Sequence, residues 1–243
     1  MIAALIMLTC FIVAIGLLWL FMIRCDNTDN FSTRLADIQS RLKLENGNIH
    51  MEEVEQLMSV MFIHPQDHVL ELGSNIGRNS LVISTLLNDD SKLVTLETDP
   101  AVVKQLLMNR DANNMKFNVE NAALTKQQLI QRENSWQTIP SKVVLRDHFR
   151  VNSVTLDELK QKYGIDFNVL VADCEGSLYY ILQEFPELLQ GSMKTLIVEN
   201  DYNDIEQKKF VEECFIKNNF RRVWSQRGGW GPCSDFFWEV WQK

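Results

Sequence analysis

Cysteine is sparse and poorly placed for any covalent framework. The five thiols, Cys10, Cys25, Cys174, Cys214 and Cys233, are odd in number and widely scattered. They offer neither a disulfide scaffold nor zinc-ligand spacing, so reduced thiols in a cytosol-facing domain are the simplest account. Positive charge is also short: 24 Lys and Arg against 32 Asp and Glu leave a formal net charge of −8. No nucleic-acid partner is expected, because phosphate contacts need clustered Lys and Arg, and a polybasic grip on a membrane surface is disfavoured too. Only 4 histidines occur; three precede the first motif below, and His148 reads either as an exposed loop residue or as a general base. Internal repeats and low-complexity tracts are missing.

Charge is absent altogether from residues 2–23, which are dominated by Ile, Leu, Phe, Val and Met. That length spans the ~30 Å of a bilayer's hydrocarbon core. A cleaved signal peptide would want a basic n-region, a shorter apolar core and a small-residue cleavage site, and none of these is found. Residues 1–24 therefore read as a transmembrane anchor. Arg24, Arg34, Arg41 and Lys43 all lie on its C-terminal side, which predicts a cytosolic catalytic domain. Residues 25–50 read as a polar stalk, in which Leu35, Ile38 and Leu42 mark a short helix lying on the domain. Residues 51–243 form the domain itself, of α/β class.

The domain is organised around Glu71-x-Gly73-x-Asn75-x-Gly77. An apolar run ends in an acid and two glycines, and Leu81, Val82, Ile83, Leu86 and Leu87 follow at helical spacing. Strand, glycine turn and helix open a nucleotide-binding unit. A dinucleotide fingerprint is missing, since the positions two and five after Gly73 are Asn75 and Arg78. A phosphate-cradling Gly-Lys-Ser/Thr is missing as well, because Arg78 and Asn79 follow Gly77. What remains resembles motif I of the class I S-adenosyl-L-methionine (SAM) methyltransferases, where the acid and turn face the amino-acid end and ribose of the cofactor.

Further strands follow in order. Residues 93–97 end in Glu97, twenty residues beyond Gly77, where a carboxylate in this fold class accepts both ribose hydroxyls. Asp99 and Pro100 start the next helix, the first as N-cap or ligand. Residues 117–119 run into Asn121-Ala122-Ala123. Residues 125–150 are polar, with Val143-Val144-Leu145 as one β-like piece, and read as a substrate-side insertion. Residues 167–172 form a strand capped by Asp173, Cys174, Glu175 and Gly176; residues 195–199 form the next, ending in Glu199. A helix over 205–218 and two strands, over 220–224 and 236–241, around a loop through Gly228, Gly229 and Trp230 close the chain. The expected fold is a Rossmann-like, seven-stranded, mostly parallel sheet with a C-terminal antiparallel hairpin, plus one N-terminal transmembrane helix.

Six elements in order resemble one family, the FkbM-type SAM-dependent methyltransferases: Glu71 to Gly77, Glu97-Thr-Asp-Pro100, Asn121-Ala-Ala-Leu124, Val154 to Leu159, Asp173-Cys-Glu-Gly176 and Ile197-Val-Glu199. The family usually carries a basic residue just before Asp173, where this chain has Val171-Ala172, and often an Ala-Glu pair after Gly176, where it has Ser177-Leu178. The resemblance implies SAM as cofactor, no metal, and a hydroxylated acceptor on a glycan, lipid-linked or other small molecule. It implies Glu71 and Asp173 for the methionine ammonium and Glu97 for the ribose. Ser74, Asn75, Asn79 and Ser80 would serve the methionine carboxylate or the turn itself, and Asn121, Ala122 and Ala123 the adenine side. Glu175, with Asp173 second, would face the acceptor as the catalytic pair; a helix N-terminal charge is the other reading of Glu175. Glu199 reads as a ligand or a strand-end hydrogen bonder, and Trp230 as a pocket wall or a loop anchor. A protein that keeps the fold and binds SAM without catalysis is the alternative function.

Overall fold

The computed structural model describes residues 30–243, so the expected anchor at 2–23 lies outside the described residues. Among the described residues no helix is long and apolar enough to cross a membrane. Helix α1 covers residues 30–41 and lays Leu35 and Ile38, 6% and 4% exposed, onto the domain, as its apolar stripe predicts. Then come α2 (Glu53–Phe62), β1 (Val69–Leu72), α3 (Arg78–Leu86), β2 (Leu93–Leu96), α4 (Pro100–Ala112), β3 (Asn118–Glu120) and β4 (Ala123–Leu124). The insertion holds β5 (Leu129–Arg132), β6 (Thr138–Pro140) and β7 (His148–Val151), followed by β8 (Ser153–Val154). The chain closes with α5 (Leu156–Tyr163), β9 (Val169–Ala172), α6 (Leu178–Glu184), β10 (Thr195–Glu199), α7 (Ile205–Lys217), β11 (Arg221–Gln226) and β12 (Trp238–Gln242).

Local chemistry explains the boundaries. Asp99 accepts the N–H of Ala101 and Pro100 fills the first turn of α4, where a missing N–H costs nothing. Thr155 and Glu158 form a reciprocal capping box at the start of α5, and Gly164 ends that helix in the left-handed region. β1, β2 and β9 are buried along their whole length, which is why they read as apolar runs interrupted only by Glu71 and Thr95.

The main sheet has the order β11-β12-β10-β9-β1-β2-β3. Neighbouring strands from β10 to β3 run parallel, and β12 pairs antiparallel with both β10 and β11. This is the mostly parallel sheet with terminal antiparallel hairpin expected from the sequence. Each face carries its own core. Leu70, Leu72, Leu170 and Val198 pack with the helices α5, α6 and α7, whereas Val69, Val169, Val171 and Ile197 pack with α1, α2, α3 and α4. Because side chains alternate along a strand, Glu71 falls between the two leucines and is directed to the α3 side.

Two expectations need correction. Val143, Val144 and Leu145 form no strand; they are 66%, 47% and 49% exposed, and β6 occupies the ladder beside β5 instead. The last strand begins at Trp238 rather than Phe236, because Gly231-Pro232 initiates a 3-10 turn that runs through Phe236. Within that strand Glu239 is wholly buried, with Lys208, Arg222 and Asn200 as its partners.

Candidate active site

A cavity of about 740 Å³ opens at the carboxyl ends of β1, β2, β9 and β10, where open α/β sheets bind ligands. Its floor is the turn after β1. Gly73 has φ +84°, and a Cβ there would lie 1.6 Å from the Asp173 carbonyl oxygen, so two backbones meet where only glycine fits. The N–H groups of Gly73 and Ser74 both donate to Leu96 O, at 3.0 and 3.1 Å, tying the turn to β2. Asn75 sits at φ +49° and its side-chain oxygen accepts the N–H of Ile76 at 2.8 Å. Gly77, at φ +90°, leads into α3.

Glu97 is held from both sides. The N–H of Asn75 donates to one oxygen and that of Asp99 to the other, each at 2.9 Å. Burial nevertheless raises its pKa above the ordinary carboxylate value. Those two bonds fix the carboxylate's orientation and leave lone pairs on each oxygen for a ligand.

The opposite end of the cavity is acidic. Asp173 follows β9, Glu199 ends β10, and Asp201 lies two residues further on. Burial, then the charges of Glu55, Asp201, Glu52 and Glu175, raises the Asp173 pKa well above normal. Burial and a hydrogen bond shared with Glu55 push Glu199 up to about 11. Asp201 is pushed up to about 7, chiefly by burial, even though it accepts the Gly176 N–H at 2.6 Å. Glu175 occupies the left-handed region at φ +53°, and burial raises its pKa also. Among the described residues, Lys, Arg and His are missing from the wall of this cavity.

Of the residues expected from sequence, Gly73, Asn75, Glu97, Ala122, Ala123, Asp173, Glu175 and Glu199 come together on the cavity wall. The others support it from behind. Glu71 lies buried on the α3 side, where it accepts from Ser80, and burial raises its pKa to about 7. It therefore sits beneath the turn and off the cavity wall, for the reason of strand alternation given above. Asn79 accepts from Ser59 at 2.8 Å, Ser74 Oγ donates to Leu96 O at 3.3 Å, and Asp99 caps α4. Gly77 shapes the turn, and Asn121 donates to the carbonyls of Glu97 and Thr98, both at 3.0 Å. Trp230, 46% exposed, and His148, whose Nδ1 lies 2.8 Å from Arg146 O, are both off the wall.

Several wall residues escape a sequence reading. Glu52 and Glu55 come from the start of α2, with Glu52 at φ +60° and paired to Arg78 at 2.8 Å. Asp201 and Tyr202 close the cavity behind β10, while Trp136 and residues 137–140 bring over it the insertion that the sequence reading expected on the substrate side. The run of acids at 52, 53 and 55, and the acid two places beyond Glu199, are the only signals they leave in the chain.

Compared by sequence, the chain matches no protein-family profile and no curated protein. Compared by structure, it is similar to the O-methyltransferase from Bacillus cereus in complex with SAH, at 14% identity and TM-score 0.49, over 90% of this chain and 91% of that one. It is also similar to fibrillarin from Aeropyrum pernix with natively bound S-adenosyl-L-methionine, at 10% identity and TM-score 0.47, over 80% and 75% of the two chains.

Proposed function

We propose that the chain is a class I SAM-dependent methyltransferase of FkbM type, anchored through residues 2–23, that methylates a hydroxyl on a glycan, lipid-linked or other small acceptor. The observation that carries the reading is the meeting of three elements at one cavity: the Gly73 turn pressed onto Asp173, the doubly held Glu97, and the small Ala122-Ala123 pair. Each fits one part of a nucleoside linked to an amino acid. Glu97 would accept the ribose hydroxyls, Asp173 would attract the methionine ammonium, and Ala122 and Ala123 would leave room for adenine. A wall without basic residues suits a cofactor that is cationic at its reacting centre and does not suit one carrying phosphates.

When bound, SAM supplies an electrophilic methyl group on a positively charged sulfur. The protein's share is to hold an acceptor oxygen in line and to take its proton. Glu175 would take that proton. It lines the same cavity one residue beyond Cys174, and its raised pKa makes it a stronger base than an exposed glutamate. Trp136 and Ile139 of the insertion, 61% and 43% exposed, give the acceptor side an apolar surface.

Calorimetry on the full-length chain in mild detergent tests the cofactor. SAM and its demethylated product should bind in the micromolar range, about −8 kcal/mol. Glu97→Ala should weaken binding by about 1–3 kcal/mol, since two hydroxyls lose a charged acceptor. A folded wild-type protein that takes up neither ligand would end the methyltransferase reading.

A further inference from the structure

Five of the twelve large hydrophobic side chains exposed among the described residues fall in the insertion, residues 125–150. Trp136 and Ile139 line the cavity, but Val143, Val144 and Leu145 do not, and methyl transfer gives them no task. Single exposed apolar side chains are ordinary, whereas three in succession at a loop tip mark a contact surface. The loop that carries them is built. The Arg150 guanidinium, on β7, donates to Ser141 O at 2.5 Å and to Lys142 O at 2.9 Å. The Ser141 N–H donates to Gln128 O at 2.9 Å, its hydroxyl donates to Val143 O at 2.6 Å, and the His148 N–H donates to Leu145 O at 3.2 Å. Both ends of the loop are thus tied to the small sheet while its apolar side chains remain exposed.

Charge says what kind of surface this is. The insertion holds five Lys and Arg against two acids, a local excess of +3 in a chain of −8. Lys142 and Arg146 stand directly on either side of the apolar tip, both exposed; Asp147, 3.8 Å from Arg146, is the one acid between Glu133 and Arg150. The net charge of the whole chain disfavours a polybasic grip spread over its surface, but screening limits attraction to about 8–10 Å, so the local pattern decides. An apolar tip with a cation at each shoulder matches the boundary between acyl chains and lipid phosphates. Only residues 24–29 separate the apolar run at 2–23 from α1, about 20 Å of chain at full stretch. A domain tethered that closely meets the bilayer at high effective concentration, so a small contact suffices.

We propose that the loop 141–146 docks on an anionic lipid bilayer, with Val143, Val144 and Leu145 entering the acyl boundary and Lys142 and Arg146 meeting lipid phosphates. The inference rests on the reading of residues 2–23 as a membrane anchor. The loop follows directly on β6, whose residues line the cavity, so docking holds the acceptor side near lipid and favours the lipid-linked class of acceptor.

The test reconstitutes the full-length chain into phosphatidylcholine nanodiscs with and without phosphatidylserine and follows backbone hydrogen exchange by mass spectrometry. Amides of residues 142–146 should exchange at least fivefold more slowly in the anionic discs, and high salt should remove the difference. The double variants Val143→Ser/Leu145→Ser and Lys142→Glu/Arg146→Glu should each abolish it, with exchange in β1 and β9 unchanged as the sign of a folded protein. Resistance to alkaline extraction reports the anchor separately and should be the same in all three proteins. A chain that resists extraction yet exchanges equally fast at the loop in both kinds of disc overturns the docking site. A chain that alkali extracts ends the anchor reading, and flotation with phosphatidylserine vesicles then judges the loop: salt-sensitive flotation lost in both variants keeps it, and no flotation overturns it. Loop protection that grows with protein concentration and persists without phosphatidylserine identifies a second copy of the chain as the occupant and overturns the lipid assignment.

Discussion

Replacing Glu71 by Gln should change how stability depends on pH, by an amount the structure sets. The carboxyl is 2% exposed, and its pKa is raised from 4.5 to about 7, with burial the largest cause. A carboxyl raised on folding adds stability that is complete below its unfolded pKa and is lost as the pH climbs through its folded one. Here the loss runs from pH about 4.5 to somewhat above 7 and totals roughly 3 kcal/mol. Most of it falls between pH 5 and pH 8. Gln cannot ionise but keeps an oxygen for the Ser80 hydroxyl, so the variant lacks this one term and shares the rest. Urea unfolding of both proteins at half-unit steps from pH 5 to pH 8 gives the difference directly. The wild type should lose roughly 2–3 kcal/mol relative to the variant across that range, whatever constant offset the substitution adds. Two curves that stay parallel would show that Glu71 is already ionised in the folded protein, and the picture of a buried, proton-holding strut under the turn would be wrong.

Gly73→Ala should cost at least about 2 kcal/mol by denaturant midpoint and abolish SAM uptake, because a left-handed alanine is strained and its Cβ would meet the Asp173 carbonyl. Gly77→Ala should cost less, since its Cβ would meet only the Leu106 side chain at 3.1 Å, which can give; equal costs would refute the distinction. Protease added to intact membrane vesicles should digest the domain from its cytosolic side, given the basic residues Arg24, Arg34, Arg41 and Lys43 beyond the apolar stretch. A domain that survives until detergent is added would reverse the orientation.

The strands and the turn were legible because their causes are local. β1, β2 and β9 are short apolar runs punctuated by acid and glycine, and the capping residues Asp99 and Thr155 announce their helices. Glu97 and Asp173 followed from their places at strand ends. Glu71 lies off the cavity wall although it stands two residues from the turn, because proximity to the turn in sequence says nothing of the face to which a strand residue points. Glu55 was invisible for a different reason. An acid in the first turn of an amphipathic helix ordinarily faces water, and only contacts with Glu199 and Trp238, far along the chain, turn it inward. The insertion was readable as polar and irregular, but its pairing of β5 with β6 and β7 depends on strands that carry no alternating pattern of their own.

The bond from Trp238 to Glu55 spans 183 residues. On a ribosome adding about 5–20 residues per second, roughly 10–40 s separate the two partners' emergence. Once β10 has been made late in that interval, its edge stays open until β12, the strand that covers it, follows. The acidic corner of the cavity, whose Glu55 and Glu199 lean on the same indole, is likewise unfinished until Trp238 is in place. A chain truncated before Trp238 would thus be neither slightly trimmed nor merely weakened, but a chain with an exposed sheet edge and an unfinished cavity corner, which is the form that cellular quality control removes.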